Sequence, residues 1–85
     1  MPADGGASPL RAVIETAVRG LVDQPDSVTV TETVRRGMTV VELRTAPGDM
    51  GKIIGRQGRT AAALRTLLAV TAERHGQRAQ LDIKD

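Results

Sequence analysis

The stretch that decides the fold is Gly51-Lys52-Ile53-Ile54-Gly55-Arg56-Gln57-Gly58-Arg59, in which Gly55 and Gly58 bracket two polar residues. Glycine reaches positive φ without steric cost and lets another backbone come close, so this spacing predicts a sharp loop with accessible amides. Arg56 and Gln57 would project from the tip of that loop. Because amides and cations together favour an anion, we interpret the stretch as a phosphate-holding loop. A glycine-rich corner without a ligand is the alternative, since a bare GxxG spacing arises easily in a chain with nine glycines.

The sequence after the loop has the periodicity of a long helix. A helix is predicted over residues 59–74, and Gly76 fits its end in the left-handed conformation. The residues expected to face inward are Leu64, Leu67, Leu68 and Ala72. Free N–H groups and the positive dipole end of this helix would add to the attraction of the loop for an anion.

The segments before the loop predict a β-hairpin. Residues 27–34 are rich in β-branched types, with Val28, Val30 and Val34 on one face, and residues 38–44 alternate in polarity. Residues 35–37 would form the turn between the two strands. The corner at residues 46–49 then opens a short helix that contains Gly51, which indicates either a close approach of a backbone or ligand or a plain tight corner.

The two ends of the chain complete the predicted order helix, strand, strand, helix, helix, strand. Ser8 and Pro9 are typical of a helix start, and an apolar stripe from Leu10 to Leu21 predicts a helix over residues 9 to about 22. Residues 79–84 alternate in polarity and predict the last strand. Residues 1–8 are expected to form a flexible N-terminal arm, and residues 9–85 a single folded domain.

In the order of these elements and in the GxxG loop, the chain resembles the KH domain, an RNA-binding module. A helix that precedes the first strand is similar to the type II (prokaryotic) KH fold, an α+β fold with three helices on one face of a three-stranded sheet. Residues 21–25, the corner at residues 46–49 and the stretch at residues 51–59 resemble the small bacterial single-KH proteins of the KhpA family.

The resemblance implies a cytoplasmic RNA-binding protein that holds short single-stranded RNA through the loop and an adjacent groove. It also implies roles in post-transcriptional regulation, RNA chaperoning or cell shape, and a homodimer or a heterodimer with a KhpB-type KH protein, without a cofactor or a metal. The expected RNA-binding residues are Lys52, Ile53, Ile54, Gly55, Arg56, Gln57, Gly58, Arg59 and Ala61. The apolar members of this set could equally belong to the core, and for neighbouring Leu64 the core is favoured.

Charge is concentrated around the loop. The net charge is +2, but residues 52–78 contain six basic residues against Glu73 alone, which is the distribution expected of a nucleic-acid binder. For Arg74 and Arg78, far along the chain from the loop, a solvated helix face is the favoured reading.

The amino-acid composition argues against several other classes of protein. The chain has no aromatic residue, which argues against a platform of rings on which bases stack. It has no cysteine and one histidine, His75, which fits a helix end better than catalysis, so we expect no enzyme. No leader or membrane segment is recognisable. A protein-interaction adaptor, whose partner supplies most of the RNA binding, is the competing class.

Overall fold

A computed structural model describes residues 8–84. The helices and strands are α1 (Pro9–Arg19), β1 (Thr29–Arg35), β2 (Met38–Arg44), α2 (Met50–Ile54), α3 (Arg59–Arg74) and β3 (Arg78–Lys84). The predicted α+β order is therefore confirmed. The predicted flexible arm lies outside the described residues except for Ser8, whose Oγ accepts the N–H of Arg11 at 3.1 Å and caps α1. None of the helices in residues 8–84 is long and apolar enough to cross a membrane.

The three strands form one mixed sheet with β2 in the centre. β1 pairs with β2 in antiparallel fashion, and β3 pairs with β2 in parallel. Parallel strands need a long crossover, which α2 and α3 provide. Because β3 runs parallel to β2, α3 must run back from the C-terminal end of β2 to the N-terminal end of β3. The beginning of α3 therefore lies near the edge of the sheet formed by the C-terminal ends of β2 and β3.

The helices cover one face of the sheet and enclose an aliphatic core. α1 packs against β1 and α3, and α3 packs against β3. Alternate residues of the strands point into this layer, so Val41 and Leu43 of β2 are fully buried while Glu42 between them is not. The buried core cluster consists of Leu10, Ile14, Val18, Val28, Val30, Val41, Leu43, Ile53, Leu64, Leu68, Ala72 and Leu81.

α1 is shorter than predicted. It ends at Arg19 with Gly20 as the C-cap, so the prediction of a helix to about residue 22 was wrong, and Leu21 is exposed. The backbone N–H groups of Asp23 and Gln24, which follow, donate to the carboxylate of Asp49. This distant acceptor holds the connection in a non-helical path that the apolar stripe could not reveal.

The hairpin also differs from the prediction at its ends. A 3₁₀ turn at Pro25–Ser27 delays β1 until Thr29. Val34 has the parity of Val30 but is 68% exposed. It lies at the end of the edge strand β1, beside the turn, whereas its partner Thr39 on the central strand β2 is buried. The turn residues, Arg36 and Gly37, both have positive φ, as a two-residue hairpin loop that matches the strand twist requires.

Candidate nucleic-acid interface

The short helix α2 is fixed to the rest of the fold by Asp49, the residue before it. The Asp49 carboxylate is buried and accepts the backbone N–H of Asp23 at 3.2 Å and of Gln24 at 3.0 Å. Ile53 of α2 is fully buried in the core. A helix of five residues is not stable alone, so these tertiary contacts determine where α2 delivers the chain into the loop.

The loop after α2 is a tight turn built on left-handed backbone. Gly55 donates its N–H to the carbonyl of Gly51 at 2.8 Å, and Gly58 donates to the carbonyl of Gly55 at 3.1 Å. Gly55 has φ 75° and ψ 172°, a region that only glycine reaches readily. Gln57 and Gly58 follow with φ 56° and 74°. The backbone thus turns back on itself and presents Arg56 and Gln57, both exposed, at its tip.

The two glycines of the loop are needed for different reasons. A Cβ on Gly55 would lie 2.9 Å from the backbone nitrogen of Thr60 and in collision with the Thr60 side chain. A Cβ on Gly58 would meet no atom within 4 Å. Gly55 is therefore required by both conformation and space, whereas Gly58 is required by conformation alone.

The loop leads directly into the N-terminus of α3. Gly58 is the N-cap, and no side chain caps the helix. The first N–H groups of α3 thus have no side-chain acceptor, and the positive end of its dipole lies beside the loop tip. Arg56 and Arg59 are exposed at the same place. Backbone amides and guanidinium groups brought together in this way are chemically suited to an anion.

The structure divides the remaining site residues into exposed and buried groups. Ile54 is 39% exposed beside the loop. Ile53 and Ala61 are buried in the core, as is Leu64, for which the core was favoured. These buried residues contribute to the packing of the core. Of the apolar residues in the predicted site, Ile54 is the one whose side chain is accessible at the loop.

Lys52 has a second connection that the sequence did not predict. Its Nζ lies 3.2 Å from a carboxylate oxygen of Asp23 and 3.9 Å from one of Asp49. The side chain is directed towards the connection between α1 and β1 rather than left free. No motif links Asp23 to Lys52 along the chain; the i, i+3 spacing of Asp49 and Lys52 was the available signal.

The exposed face of α3 carries apolar residues. Leu67 is 37% exposed and Val70 48% exposed. The prediction that Leu67 faces inward was wrong, because the buried stripe of α3 is narrower and runs through Ala61, Leu64, Leu68 and Ala72. Sequence reasoning did not single out Val70 at all.

The order of elements, the mixed sheet and the glycine loop between α2 and α3 together define a type II KH domain. A family model described as KhpA/KhpB, KH domain, matches residues 11–83. The chain belongs to this family.

Individual relatives agree with the family match over most of their length. The chain is 43% identical to the RNA-binding protein KhpA of Aquifex aeolicus, over 89% of this chain and 96% of the relative. It is 45% identical to the protein of the same name from Leifsonia xyli subsp. xyli, over 89% of this chain and 97% of the relative. It is 40% identical to that of Clostridium acetobutylicum, over 87% and 99%.

A solved structure shares the fold. A crystal structure of a variant of Era from Aquifex aeolicus, bound to GDP and aluminium fluoride, matches with a TM-score of 0.62 and 16% identity. The match covers 87% of this chain but 29% of the Era chain. At this identity the likeness concerns the fold of the matched part.

Proposed function

We propose that this protein binds RNA and holds a short single-stranded segment at the loop formed by residues 55–58. The observation that carries the proposal is the left-handed turn at Gly55, Gln57 and Gly58, which opens into an uncapped helix N-terminus. Membership of the KhpA/KhpB family and the relatives named RNA-binding proteins support it.

The binding is physical rather than chemical. The backbone N–H groups of Arg56 and Gln57 at the loop tip, with the guanidinium groups of Arg56 and Arg59, hold phosphate oxygens, because the N–H groups of the other loop residues already donate within the turn. Ile54 gives a base an apolar surface. A KH loop clamps about four backbone nucleotides. With roughly three phosphates held at ~0.7 released counterions each, the log–log salt dependence of the binding constant has a slope near −2.

Lys52 contributes to binding only if it leaves its present partner. Its ion pair with Asp23 is half exposed, with side-chain exposures of 45% and 75%. A pair of this kind is worth about 0–1 kcal/mol, so exchange of Asp23 for an RNA phosphate costs little. Lys52 is therefore a cation that an RNA strand can recruit from the flank of the loop.

The cellular role that fits this binding is a cytoplasmic one, as a post-transcriptional regulator or RNA chaperone with effects on cell shape. A loop that reads the backbone binds many sequences weakly. The protein then acts by occupying RNA, and no step of this role requires an enzyme.

A titration of fluorescent single-stranded RNA, followed by anisotropy at two salt concentrations, tests the proposal. The test variant is Arg56→Asp with Gln57→Asp, because aspartate tolerates the left-handed backbone at residue 57. The control is Thr16→Asp with Arg19→Asp on the exposed side of α1, which lowers the net charge equally. Far-UV circular dichroism establishes that both variants fold.

The expected result is loss of salt-dependent binding in the loop variant and retention in the control. Equal binding by the two variants would place the RNA elsewhere. If the wild type itself binds no RNA at high concentration, the adaptor reading is the better one.

A second candidate function, contact with another protein, is favoured by Leu67 and Val70. These exposed apolar residues lie one turn apart on α3, at i and i+3, and a core without aromatic rings has a small stability margin that association increases. The partner is a second copy of this chain or a KhpB-type KH protein. Two copies would present two loops to one RNA and so raise the affinity without new contacts within each copy.

A further inference from the structure

Four arginines lie at the end of the molecule opposite the glycine loop. The sheet register places Arg35 and Arg78 on either side of Met38, with all three on the open face of the sheet. Arg36 forms the hairpin turn beside them, and Arg74 lies at the C-terminal end of α3, which the same topology brings to this end. All four arginines are exposed, and we call Arg35, Arg36, Arg74 and Arg78 the hairpin-end patch.

The hairpin-end patch is not neutralised by neighbouring acids. Residues 34–38 and 73–78 together carry a net charge of +3, with Glu73 as the acid among them. Within residues 8–84 the ion pairs involve the cations of Arg19 and Lys52, and none involves an arginine of the patch. Two strand spacings put the backbones of Arg35 and Arg78 about 10 Å apart, so the repulsion between their charges is weak. An anion bound between the two side chains would be attracted by both.

The hairpin-end patch is too far from the glycine loop to be part of it. α3 separates the two, and its 16 residues make a helix about 24 Å long at ~1.5 Å per residue. A stacked nucleic-acid strand advances ~3.4 Å per nucleotide, so about 7 nucleotides cover this distance. The few nucleotides clamped by a KH loop do not reach the patch.

The charges on the surface between the loop and the patch favour a route for a nucleic-acid strand along α3. On the open face of the sheet, Glu42 and Asp82 are direct neighbours in the register of β2 and β3 and repel phosphates. On α3, Glu73 is the first acid after the loop, and exposed Arg65 lies between the loop and the patch. The exposed surface of α3 thus carries Arg59, Arg65 and Arg74. A nucleic-acid strand that follows this surface passes from Arg74 around the end of the sheet to Arg35 and Arg78 on the open face.

We propose that the hairpin-end patch is a second phosphate-binding site, which holds the continuation of the RNA strand bound at the glycine loop. This inference rests on the proposed function and extends it. The guanidinium groups bind phosphates irrespective of sequence, as bidentate donors suited to that geometry. RNA of about a dozen nucleotides or more then spans both sites, whereas RNA of about five nucleotides occupies the loop alone.

The test compares short and long RNA on matched variants. Arg35→Gln with Arg78→Gln removes two positive charges from the patch, and the control Arg19→Glu, at an exposed residue of α1, changes the net charge by the same two units. Anisotropy titrations use single-stranded RNA of about 5 and about 20 nucleotides at several salt concentrations, with lengths chosen to occupy one site or both. Because variants are compared on the same RNA, the larger number of binding registers on the long strand cancels.

We expect the patch variant to bind the short RNA like the wild type. On the long RNA the magnitude of its log–log salt slope falls by about 1.4, at ~0.7 for each of two phosphates. If the patch variant and the wild type bind equally at about 1 M salt, the variant then binds roughly 25-fold more weakly than the wild type at about 0.1 M. The control variant keeps the wild-type slope.

Each other outcome has a defined meaning. If the patch and control variants bind the long RNA equally while the loop variant has lost binding, the second site is refuted and the proposed function stands. If the patch variant weakens short and long RNA alike, the patch is not a separate site and the inference fails. If the wild type binds neither RNA, the inference falls together with the proposed function.

Discussion

Substitution of Gly55 by alanine tests the geometry of the loop most directly. The backbone at this residue lies in a region that costs other residues about 1–3 kcal/mol. The new Cβ would also stand 2.9 Å from the backbone nitrogen of Thr60, and overpacking of this kind costs about 1–3 kcal/mol. Alanine also lowers the conformational entropy of the unfolded chain, which stabilises the folded state by about 0.4–1 kcal/mol. The free energy of unfolding should therefore fall by about 1–6 kcal/mol, with a central value of about 3 kcal/mol.

Gly58→Ala is the matched control, because it lies in the same loop and changes the same atoms. Its left-handed φ costs an alanine about 1–2 kcal/mol, but its Cβ meets no neighbour. After the same unfolded-state correction, the net loss should be about 1 kcal/mol. The chain has no aromatic residue, so unfolding in urea is followed by far-UV circular dichroism rather than by fluorescence.

Two results would refute this reasoning. One is a Gly55→Ala variant no less stable than Gly58→Ala. The other is full recovery of Gly55→Ala by Thr60→Ala, since that change removes the hydroxyl but leaves the backbone nitrogen of residue 60 and its Cβ in place. Less than half of the lost stability should return.

Three further substitutions follow from the structure. Asp49→Ala leaves two backbone N–H groups without their acceptor and should lower the free energy of unfolding by about 2–4 kcal/mol, whereas Asp26→Ala, at an exposed residue, should change it by less than about 0.5. Gly51→Ala puts a Cβ into open space within α2 and should raise the same quantity by about 0.5–1 kcal/mol in urea titrations; a decrease would mean that α2 has other constraints. Leu67→Asp should lower the sedimentation coefficient towards that of the monomer, while Thr66→Asp should leave it unchanged. If neither variant changes the sedimentation coefficient, this face of α3 is not the contact.

The parts of the fold that the sequence predicted correctly are those with strong local signals. The bounds of α3 were predicted because a long apolar periodicity ends at a glycine suited to a left-handed cap. The bounds of β2 were predicted because a central strand alternates cleanly between a covered and an open face. These features depend on neighbouring residues along the chain, so one sequence contains them.

The errors lie where a distant residue decides the local structure. The path of the chain after α1 depends on the acceptor that Asp49 provides, 25 residues beyond Gln24. Val34 follows the alternation of its strand, yet its exposure depends on the sheet order, which makes β1 an edge strand. The direction of the Lys52 side chain likewise depends on Asp23, which only the tertiary fold brings near.

The same dependence applies to the hairpin-end patch. Arg35 and Arg78 are 43 residues apart, and the pairing of both β1 and β3 with β2 makes them neighbours across Met38. From the sequence alone, Arg78 was better explained as a solvated residue. Charge clustering along the chain reports the loop, whereas charge clustering in space requires the sheet register.

The two hydrogen bonds from Asp23 and Gln24 to Asp49 determine how much of the chain must accompany this loop if it is transferred to another protein. A peptide of residues 46–76 contains α2, the glycine turn and α3, but it lacks the two N–H donors that orient the Asp49 carboxylate. Such a peptide would keep the sequence motif and lose the angle at which α2 enters the turn. A designer who grafts this loop into another scaffold must therefore also transplant residues 23–24, or supply two donors in their place.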